Sequence, residues 1–110
     1  MKTIAQQLNI KDFPFIIKDN NGNVIYLEYE IGFWFKNEFD ENQNKTFYEN
    51  SSGYWFRYEF DENENQTFYE DSSGYWDKRE YDDNNKEVYF EDSNGNIETG
   101  ENCGNTYYPI

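Results

Sequence analysis

Pairs of neighbouring carboxylates recur along the chain at a constant spacing of 21 residues. One series consists of Asp40–Glu41, Asp61–Glu62 and Asp82–Asp83, and a second of Glu70–Asp71 and Glu91–Asp92. Carboxylates can ligate metal ions, transfer protons in general acid–base catalysis or attract a basic surface. The chain contains no His, so it lacks the commonest general base and the usual activator of a Ser or Cys nucleophile. We therefore predict that the protein is not an enzyme and that these carboxylates serve binding.

The pattern Asp-x-Asn-x-Asn begins at Asp19, Asp40 and Asp61 and matches the first three ligand positions of a calcium-binding loop. A calcium loop also needs a bidentate Glu at its twelfth position, where the loop from Asp61 has Ser72. Asp and Asn at this spacing are also typical of Asx turns, in which the side chain accepts hydrogen bonds from nearby backbone N–H groups. The sequence thus favours turns at these places, and we expect neither a metal nor a cofactor.

The net charge of the chain indicates which class of partner it can bind. The chain has 23 Asp and Glu against 9 Lys and Arg, which gives a formal net charge of −14. Such a protein repels DNA, RNA and anionic lipid, so we expect no direct binding to nucleic acid or to membranes. The expected partner is the basic surface of a nucleic-acid-binding protein, for example a defence nuclease. Because Cys103 is the only cysteine and the chain shows neither a long apolar run nor a signal peptide, we predict a cytoplasmic protein.

Three similar segments of 21 residues follow one another without a gap, beginning at Gly32, Gly53 and Gly74. Residues 11–31 are a degenerate copy of this unit, and Gly95 opens a truncated copy. Such a period is typical of proteins built from stacked supersecondary units. We therefore expect a single domain made of an N-terminal cap with the first hairpin (1–31), three repeats (32–94) and a C-terminal partial repeat with a tail (95–110).

Each repeat contains two aromatic runs separated by a polar turn. In the second full repeat, residues 54–60 and 66–71 are rich in strand-forming residues, and residues 61–65 contain only Asp, Glu and Asn. At the N-terminus, Thr3 and Gln6 have the spacing of a capping box, and Ile4 and Leu8 fall on one helical face. The sequence predicts an all-β fold, an antiparallel meander of tandem 21-residue β-hairpin repeats with a short N-terminal helix as cap.

The odd period of 21 residues constrains the loops between the strands. Two odd loops would move each repeat to the opposite face of the sheet, so we expect a three-residue loop that pairs Asp61 with Asn65 and a two-residue loop that pairs Ser72 with Tyr75. The Asn94-Gly95 pair likewise favours a two-residue turn. This register predicts one face that carries Trp34, Trp55, Trp76, Asn50, Asp71 and Asp92, together with Lys36, Arg57, Lys78, Tyr48, Tyr69 and Phe90.

The other face of the predicted sheet is the more aromatic one. Sheet curvature, a homodimer contact or a ligand would cover such a surface, and the sequence leaves these alternatives open. Its expected members are Phe33, Phe35, Phe39, Phe47, Tyr54, Phe56, Tyr58, Phe60, Phe68, Tyr75, Tyr81 and Tyr89.

The spacing of turn and glycine residues from Asp61 to Asp82 resembles the YD repeat of the RHS family. The Tyr81–Asp82 dipeptide matches the family signature, and Phe39–Asp40 and Phe60–Asp61 are close variants. The turn glycine of that family is present as Gly22 and is replaced in the later repeats by Gln43, Glu64 and Asn85. The resemblance implies tandem β-hairpins but not the family's large shell, which needs many more repeats.

The acidic residues gather at the two ends of the predicted hairpins. A seven-residue strand is about 23 Å long, so the two acidic margins are separated by roughly the width of a nucleic-acid duplex. We predict an acidic protein that occludes a basic nucleic-acid-handling enzyme as a nucleic-acid mimic, similar in size and acidity to phage inhibitors of the anti-restriction and anti-CRISPR type. The residues expected to contact the partner are Asp40, Glu41, Trp55, Asp61, Glu62, Glu64, Glu70, Asp71, Trp76, Asp82 and Asp83.

Other functions are compatible with the same pattern. The residues Tyr89, Phe90 and Gly95 give a weaker resemblance to choline-binding repeats, which implies a carbohydrate- or cell-wall-binding module. The RHS resemblance implies a structural repeat protein. Charge repulsion that keeps an aromatic sheet soluble would also account for the acidic turns without any partner.

Overall fold

A computed structural model describes residues 1–100 of the chain. The expectations for Cys103 and for the rest of the C-terminal tail lie outside the described residues. The described elements are a helix, α1 (Ile4–Gln7), and nine strands: β1 (Phe15–Lys18), β2 (Val24–Glu28), β3 (Trp34–Phe39), β4 (Lys45–Asn50), β5 (Trp55–Phe60), β6 (Gln66–Asp71), β7 (Trp76–Tyr81), β8 (Glu87–Asp92) and β9 (Ile97–Thr99).

The strands follow one another in chain order as an antiparallel meander. The predicted all-β class with a short N-terminal helix is therefore confirmed, and the turns lie at the predicted residues 40–44, 61–65 and 82–86. The chain divides into two compact units, with the boundary after Trp55. We describe each unit by itself.

Helix α1 begins with the predicted capping box. Thr3 Oγ1 accepts a hydrogen bond from Gln6 N at 3.2 Å, and Gln6 Oε1 accepts one from Thr3 N at 2.9 Å. These two bonds satisfy backbone donors that the first helical turn leaves free. The residue that the helix buries is Ala5, whereas Ile4 and Leu8 remain 39% and 59% exposed. The Ala5 N–H donates to the buried carboxylate of Glu28 in β2 at 3.1 Å, which holds this side of the helix against the strand.

The loops at both ends of the hairpins contain three residues. Asp61 N donates to Asn65 O at 2.9 Å, as predicted, but the loop at the other end joins Asp71 N to Tyr75 O at 3.0 Å. The expected two-residue loop between Ser72 and Tyr75 is therefore wrong, and so is the two-residue turn at Asn94-Gly95, because Asp92 N donates to Asn96 O. In the loop from Asp71, the third residue is Gly74 at φ +94°, a left-handed conformation that glycine adopts without strain.

A β-bulge interrupts the second strand of each hairpin. In the second unit Glu59 pairs with Phe68 while Phe60 pairs with Gln66, which leaves Thr67 as an extra residue. The other hairpins carry an extra residue at the equivalent position, and all four extra residues are β-branched: Ile25, Thr46, Thr67 and Val88. The Thr67 hydroxyl donates to the backbone oxygen of Glu59 at 3.2 Å and so gives the bulge a bond of its own.

The bulge keeps equivalent residues of successive repeats on the same face of the sheet, which the loops alone would not do. Two three-residue loops alone would turn successive repeats to opposite faces, and one extra residue in every hairpin restores the original face. Within the second unit, Glu59 and Glu80 share a face, although they are 21 residues apart. Within the first unit, Glu28 and Glu49 do the same. The predicted conservation of faces is correct inside each unit, but the predicted loops do not produce it.

The same bulge overturns part of the predicted distribution of side chains between the faces. We call the face that carries Trp34 in the first unit and Trp76 in the second the tryptophan face of that unit. The first strand of each hairpin is oriented as predicted, whereas the second strand is turned over beyond its bulge. Residues that therefore lie opposite the tryptophan face are Tyr48, Asn50, Tyr69, Asp71, Phe90 and Asp92, and residues that lie on it are Phe47, Phe68 and Tyr89.

Deletion of Thr67 tests the role of the bulge. Without the extra residue, the side chains that follow must exchange faces, so we expect the free energy of unfolding to fall by about 3 kcal/mol or more. The matched control is Thr67→Val, which copies Val88 and loses only one hydrogen bond, worth about 0.5–1.5 kcal/mol. Urea unfolding followed by circular dichroism measures both. Equal stability of the two variants would show that the bulge does not set the register.

Candidate functional site

In the series that begins at Asp40–Glu41, the first carboxylate of each acidic pair holds the backbone of its own turn. Asp61 Oδ1 accepts hydrogen bonds from the backbone N–H groups of Asn63 and Asn65, each at 2.9 Å. The side-chain amide of Asn65 donates to Asp61 Oδ2 at 3.3 Å. The bond from the Asn65 backbone is the largest influence on Asp61 and, with the other two, lowers the pKa of its carboxyl group. Asp40 and Asp82 accept the same pair of backbone bonds in their turns.

The second carboxylate of each pair points away from the turn. Glu41, Glu62 and Asp83 are exposed. In residues 1–100 none of these three carboxylates takes part in an ion pair. Their charge is therefore available to a partner, while the first carboxylate of each pair keeps the turn rigid. We call the set of turns that begin at Asp40, Asp61 and Asp82 the Asp turns.

Side chains connect the turn from Asp19 to the Asp turn from Asp40 in the first unit, and the Asp turns from Asp61 and Asp82 in the second. Asn23 Nδ2 donates to Gln43 Oε1 in the first unit, and Asn65 Nδ2 donates to Asn85 Oδ1 at 3.0 Å in the second. The acceptors occupy the left-handed position of their turns, with φ of +70° for Gln43 and +64° for Asn85. An acceptor side chain at this position gains a partner that glycine cannot bind, which favours Gln43 and Asn85 over the glycine that the first turn has as Gly22.

Two of the predicted contact residues lie at the opposite ends of the strands from the Asp turns. Asp71 begins the loop to β7, where the hydroxyl and backbone N–H of Ser73 both donate to it. The Ser73 hydroxyl is the main cause of the lowered pKa of the Asp71 carboxyl group. Glu70 accepts a hydrogen bond from Arg57 Nε at 2.9 Å in a salt bridge across the strands. Neither residue belongs with the Asp turns.

The predicted tryptophan contacts are half-buried. Trp55 begins β5, and Trp76 begins β7 with Lys78 Nζ 5.2 Å from its ring centroid. Trp76 is also fixed through its backbone, because its N–H donates to Ser93 Oγ at 3.1 Å. Within the second unit, Trp76 lies at the end of the strands opposite Asp61 and Asp82. The structure therefore separates Trp76 from the Asp turns instead of combining them in one site.

A buried carboxylate in the first unit was not singled out by the sequence. Glu28 is 2% exposed and accepts hydrogen bonds from Thr3 Oγ1 at 2.6 Å, Ala5 N at 3.1 Å and the Tyr26 hydroxyl at 2.8 Å. Burial alone would raise the pKa of Glu28, but these three donors outweigh it and lower the pKa. Burial, followed by the bond to Glu28, raises the pKa of Tyr26 to about 12. The sequence feature that pointed to this buried carboxylate is the capping Thr3, because its hydroxyl hydrogen needs an acceptor.

A second charged cluster marks where the third full repeat departs from the others. Asp77 and Asp92 are paired across β7 and β8 and are only 5% and 4% exposed. Arg79 donates to Asp77 at 3.3 Å and to Glu87 at 3.0 Å, and its guanidinium lies 5.0 Å from the centroid of the Phe90 ring. The equivalents of Asp77 in the earlier repeats are phenylalanines, so this break in the repetition was visible in the sequence.

Metal-binding clusters and membrane-spanning helices are both absent from the described residues. Residues 1–100 contain no cluster of three or more His, Cys, Asp or Glu arranged to hold a metal ion. That part of the chain also has no helix with the length and apolarity needed to cross a bilayer.

No protein-family model matches the sequence, and no curated protein matches it either. The resemblance to the RHS family therefore stays a prediction that depends on the residues quoted for it.

Substitution of Asp61 separates its structural role from its charge. Asn accepts the same backbone bonds, as Asn50 does from Ser52 N at 2.9 Å and Tyr54 N at 3.3 Å. We expect Asp61→Asn to leave the free energy of unfolding within about 0.5 kcal/mol of wild type at neutral pH, and Asp61→Ala to lower it by about 1–2 kcal/mol. Urea unfolding measures both. Equal losses in the two variants would contradict an Asx turn held by the side-chain oxygen.

The pair of Tyr26 and Glu28 predicts a loss of stability at high pH. Because the pKa of Tyr26 rises from 10 when unfolded to about 12 when folded, its contribution is complete below pH 10 and is lost as the pH rises towards 12. We expect the difference in free energy of unfolding between wild type and Tyr26→Phe to be constant below pH 10 and to shrink above it. Urea unfolding at several pH values measures this difference. A gap that persists to pH 12 would contradict the assignment.

Proposed function

We propose that this protein binds the basic surface of a nucleic-acid-handling protein through its Asp turns and thereby occludes that surface. The observation that supports the proposal is the exposed second carboxylate of each turn. Glu41, Glu62 and Asp83 have no cationic partner in the described residues, and the formal net charge of the chain is −14. Charges of this kind raise association rates with a basic partner because they steer the encounter at long range.

Rigidity of the turns favours binding. Each exposed carboxylate is flanked by an Asp that accepts two backbone N–H groups, so the turn conformation exists before a partner arrives. A preorganised surface loses less conformational entropy on association than a flexible acidic loop would. The side-chain bond from Asn65 to Asn85 also fixes two successive turns of the second unit relative to each other.

The density of charge at the turn from Asp61 supports the nucleic-acid mimic that the sequence suggests. Successive hairpins advance a sheet by about 10 Å. The turn from Asp61 carries three carboxylates, those of Asp61, Glu62 and Glu64, which corresponds to about one charge per 3.3 Å. One strand of duplex DNA carries about one charge per 3.4 Å. The turns from Asp40 and Asp82 carry two acidic residues each and are less dense. The proposal therefore favours the class of phage-encoded inhibitors that includes the anti-restriction and anti-CRISPR proteins.

A triple variant of the exposed carboxylates tests the proposal. We expect Glu41→Gln with Glu62→Gln and Asp83→Asn to slow association with the partner by about tenfold at low salt and to flatten its salt dependence. The control is Asp12→Asn with Glu30→Gln and Glu80→Gln, which removes equal charge from exposed positions outside the Asp turns. Surface plasmon resonance over a salt series measures both. Equal slowing by the two variants would show that only net charge matters.

Identification of the partner uses affinity capture with the wild-type protein and the same two triple variants. We expect a basic nucleic-acid-handling protein that is retained by the wild type and the control but released from the Asp-turn variant, and whose nucleic-acid binding is inhibited. Retention of the protein on cell-wall polysaccharide, with no such partner, would replace the proposal with the carbohydrate-binding alternative.

A further inference from the structure

We propose that the first unit binds a small planar aromatic anion in a cavity beside helix α1. The cavity has a volume of about 340 Å³. Its walls come from the helix segment, through Thr3, Ile4 and Gln7, and from the tryptophan face of β2 and β3, through Tyr26 and Trp34. Pockets for small organic ligands commonly have volumes of about 300–1,000 Å³, so this one suits a compact ligand. The proposed ligand site is separate from the Asp turns and does not depend on their function.

The aromatic wall favours a flat ligand. The rings of Tyr26 and Trp34 are stacked, with centroids 6.0 Å apart and planes inclined by 27°. The Tyr26 hydroxyl already donates to Glu28 at 2.8 Å, so Tyr26 offers the cavity its ring and not a free polar group. The backbone of Trp34 is held by Ser51, because Trp34 N donates to Ser51 Oγ at 3.1 Å and Ser51 N donates to Trp34 O at 2.9 Å. A stacked pair of rings is suited to stacking against an aromatic ring system.

The charges around the cavity favour an anion. Lys2 and Lys36 line it, and none of its lining residues is Asp or Glu, although the chain has 23 acidic residues and only 9 basic ones. Glu28 lies next to the cavity wall, but its carboxylate is only 2% exposed and accepts bonds from Thr3, Ala5 and Tyr26. Lys36 is shared with Glu49 at the edge of the cavity, whereas Lys2 forms no ion pair in the described residues, so the charged groups that line the cavity itself are both cationic. A carboxylate or sulfonate attached to an aromatic ring matches both of its features.

The second unit repeats the tryptophan and lysine without the helix. Trp76 and Lys78 are the equivalents of Trp34 and Lys36 in the third full repeat, and Lys78 pairs with Glu91 in register as Lys36 pairs with Glu49. Helix α1, which supplies the other wall, belongs to the first unit. The repeat thus offers a matched internal control, in which the same residues occur without the helix.

Titration of the full chain with naphthoate tests the proposal. We expect saturable binding with chemical-shift changes in the amides of residues 2–7 and of Tyr26, Trp34 and Lys36, measured by heteronuclear NMR, and a heat of binding by calorimetry. Naphthamide, which has the same ring system but no charge, and naphthylmethylammonium, which is cationic, should bind at least threefold more weakly. Equal binding of either compound, or shifts spread over both units, would overturn the proposal.

Charge variants at equivalent positions locate the binding site. Lys36→Gln should weaken naphthoate binding by about threefold to tenfold, and Lys78→Gln should not. Glu49→Gln should strengthen it, because Lys36 Nζ is held by Glu49 Oε1 at 3.1 Å and would be released towards the cavity. Glu91→Gln is the control for that gain. If the variants of the two units change the affinity equally, naphthoate responds to net charge alone and the cavity is not its site.

Discussion

The hydrogen bonds from turn backbone to turn carboxylate are the constraint on which the rest of the structure depends. A side-chain oxygen of the first turn residue accepts backbone N–H groups at both ends of the hairpins, for example at Asp61 and Asp92. These bonds make a three-residue loop favourable wherever Asp or Asn begins it. Loop starts then alternate at intervals of 10 and 11 residues, and the 21-residue period is their sum.

The same constraint explains how the sheet is stable with a small apolar core. The fully buried hydrophobic residues in the described part of the chain are Ala5, Tyr26 and Phe90. Stability must therefore come from the strand ladders and from repeated contacts across strands, such as Arg57 over the Phe68 ring at 4.8 Å and Arg57 with Glu70 at 2.9 Å. Single contacts of this kind contribute about 0.2–1 kcal/mol each, so their repetition is essential.

We propose binding at two features of opposite charge. The Asp turns present exposed carboxylates on rigid loops, whereas the cavity beside α1 presents two lysines and two stacked rings. The first feature follows from repetition, because each hairpin adds another acidic turn. The second depends on the N-terminal segment, whose capping box places Thr3 and Ala5 against Glu28. The repeated hairpins thus form the acidic surface, and the N-terminal segment, which is not repeated, forms a wall of the cavity.

Sequence alone determined the strands, the Asp turns and the capping box, because residue type favours strands and the turn and cap hydrogen bonds join residues at most a few positions apart. It placed Glu41, Glu62 and Asp83 among the acidic residues of those turns, but only the structure distinguished them from the Asp residues that bind the turn backbone. Only the tertiary structure decided which side chains share a face, since one bulge residue at Ile25, Thr46, Thr67 or Val88 turns over the rest of its strand. Burial of Glu28 was likewise decided by pairing between distant segments, because its donors Thr3 and Ala5 are more than 20 residues away along the chain.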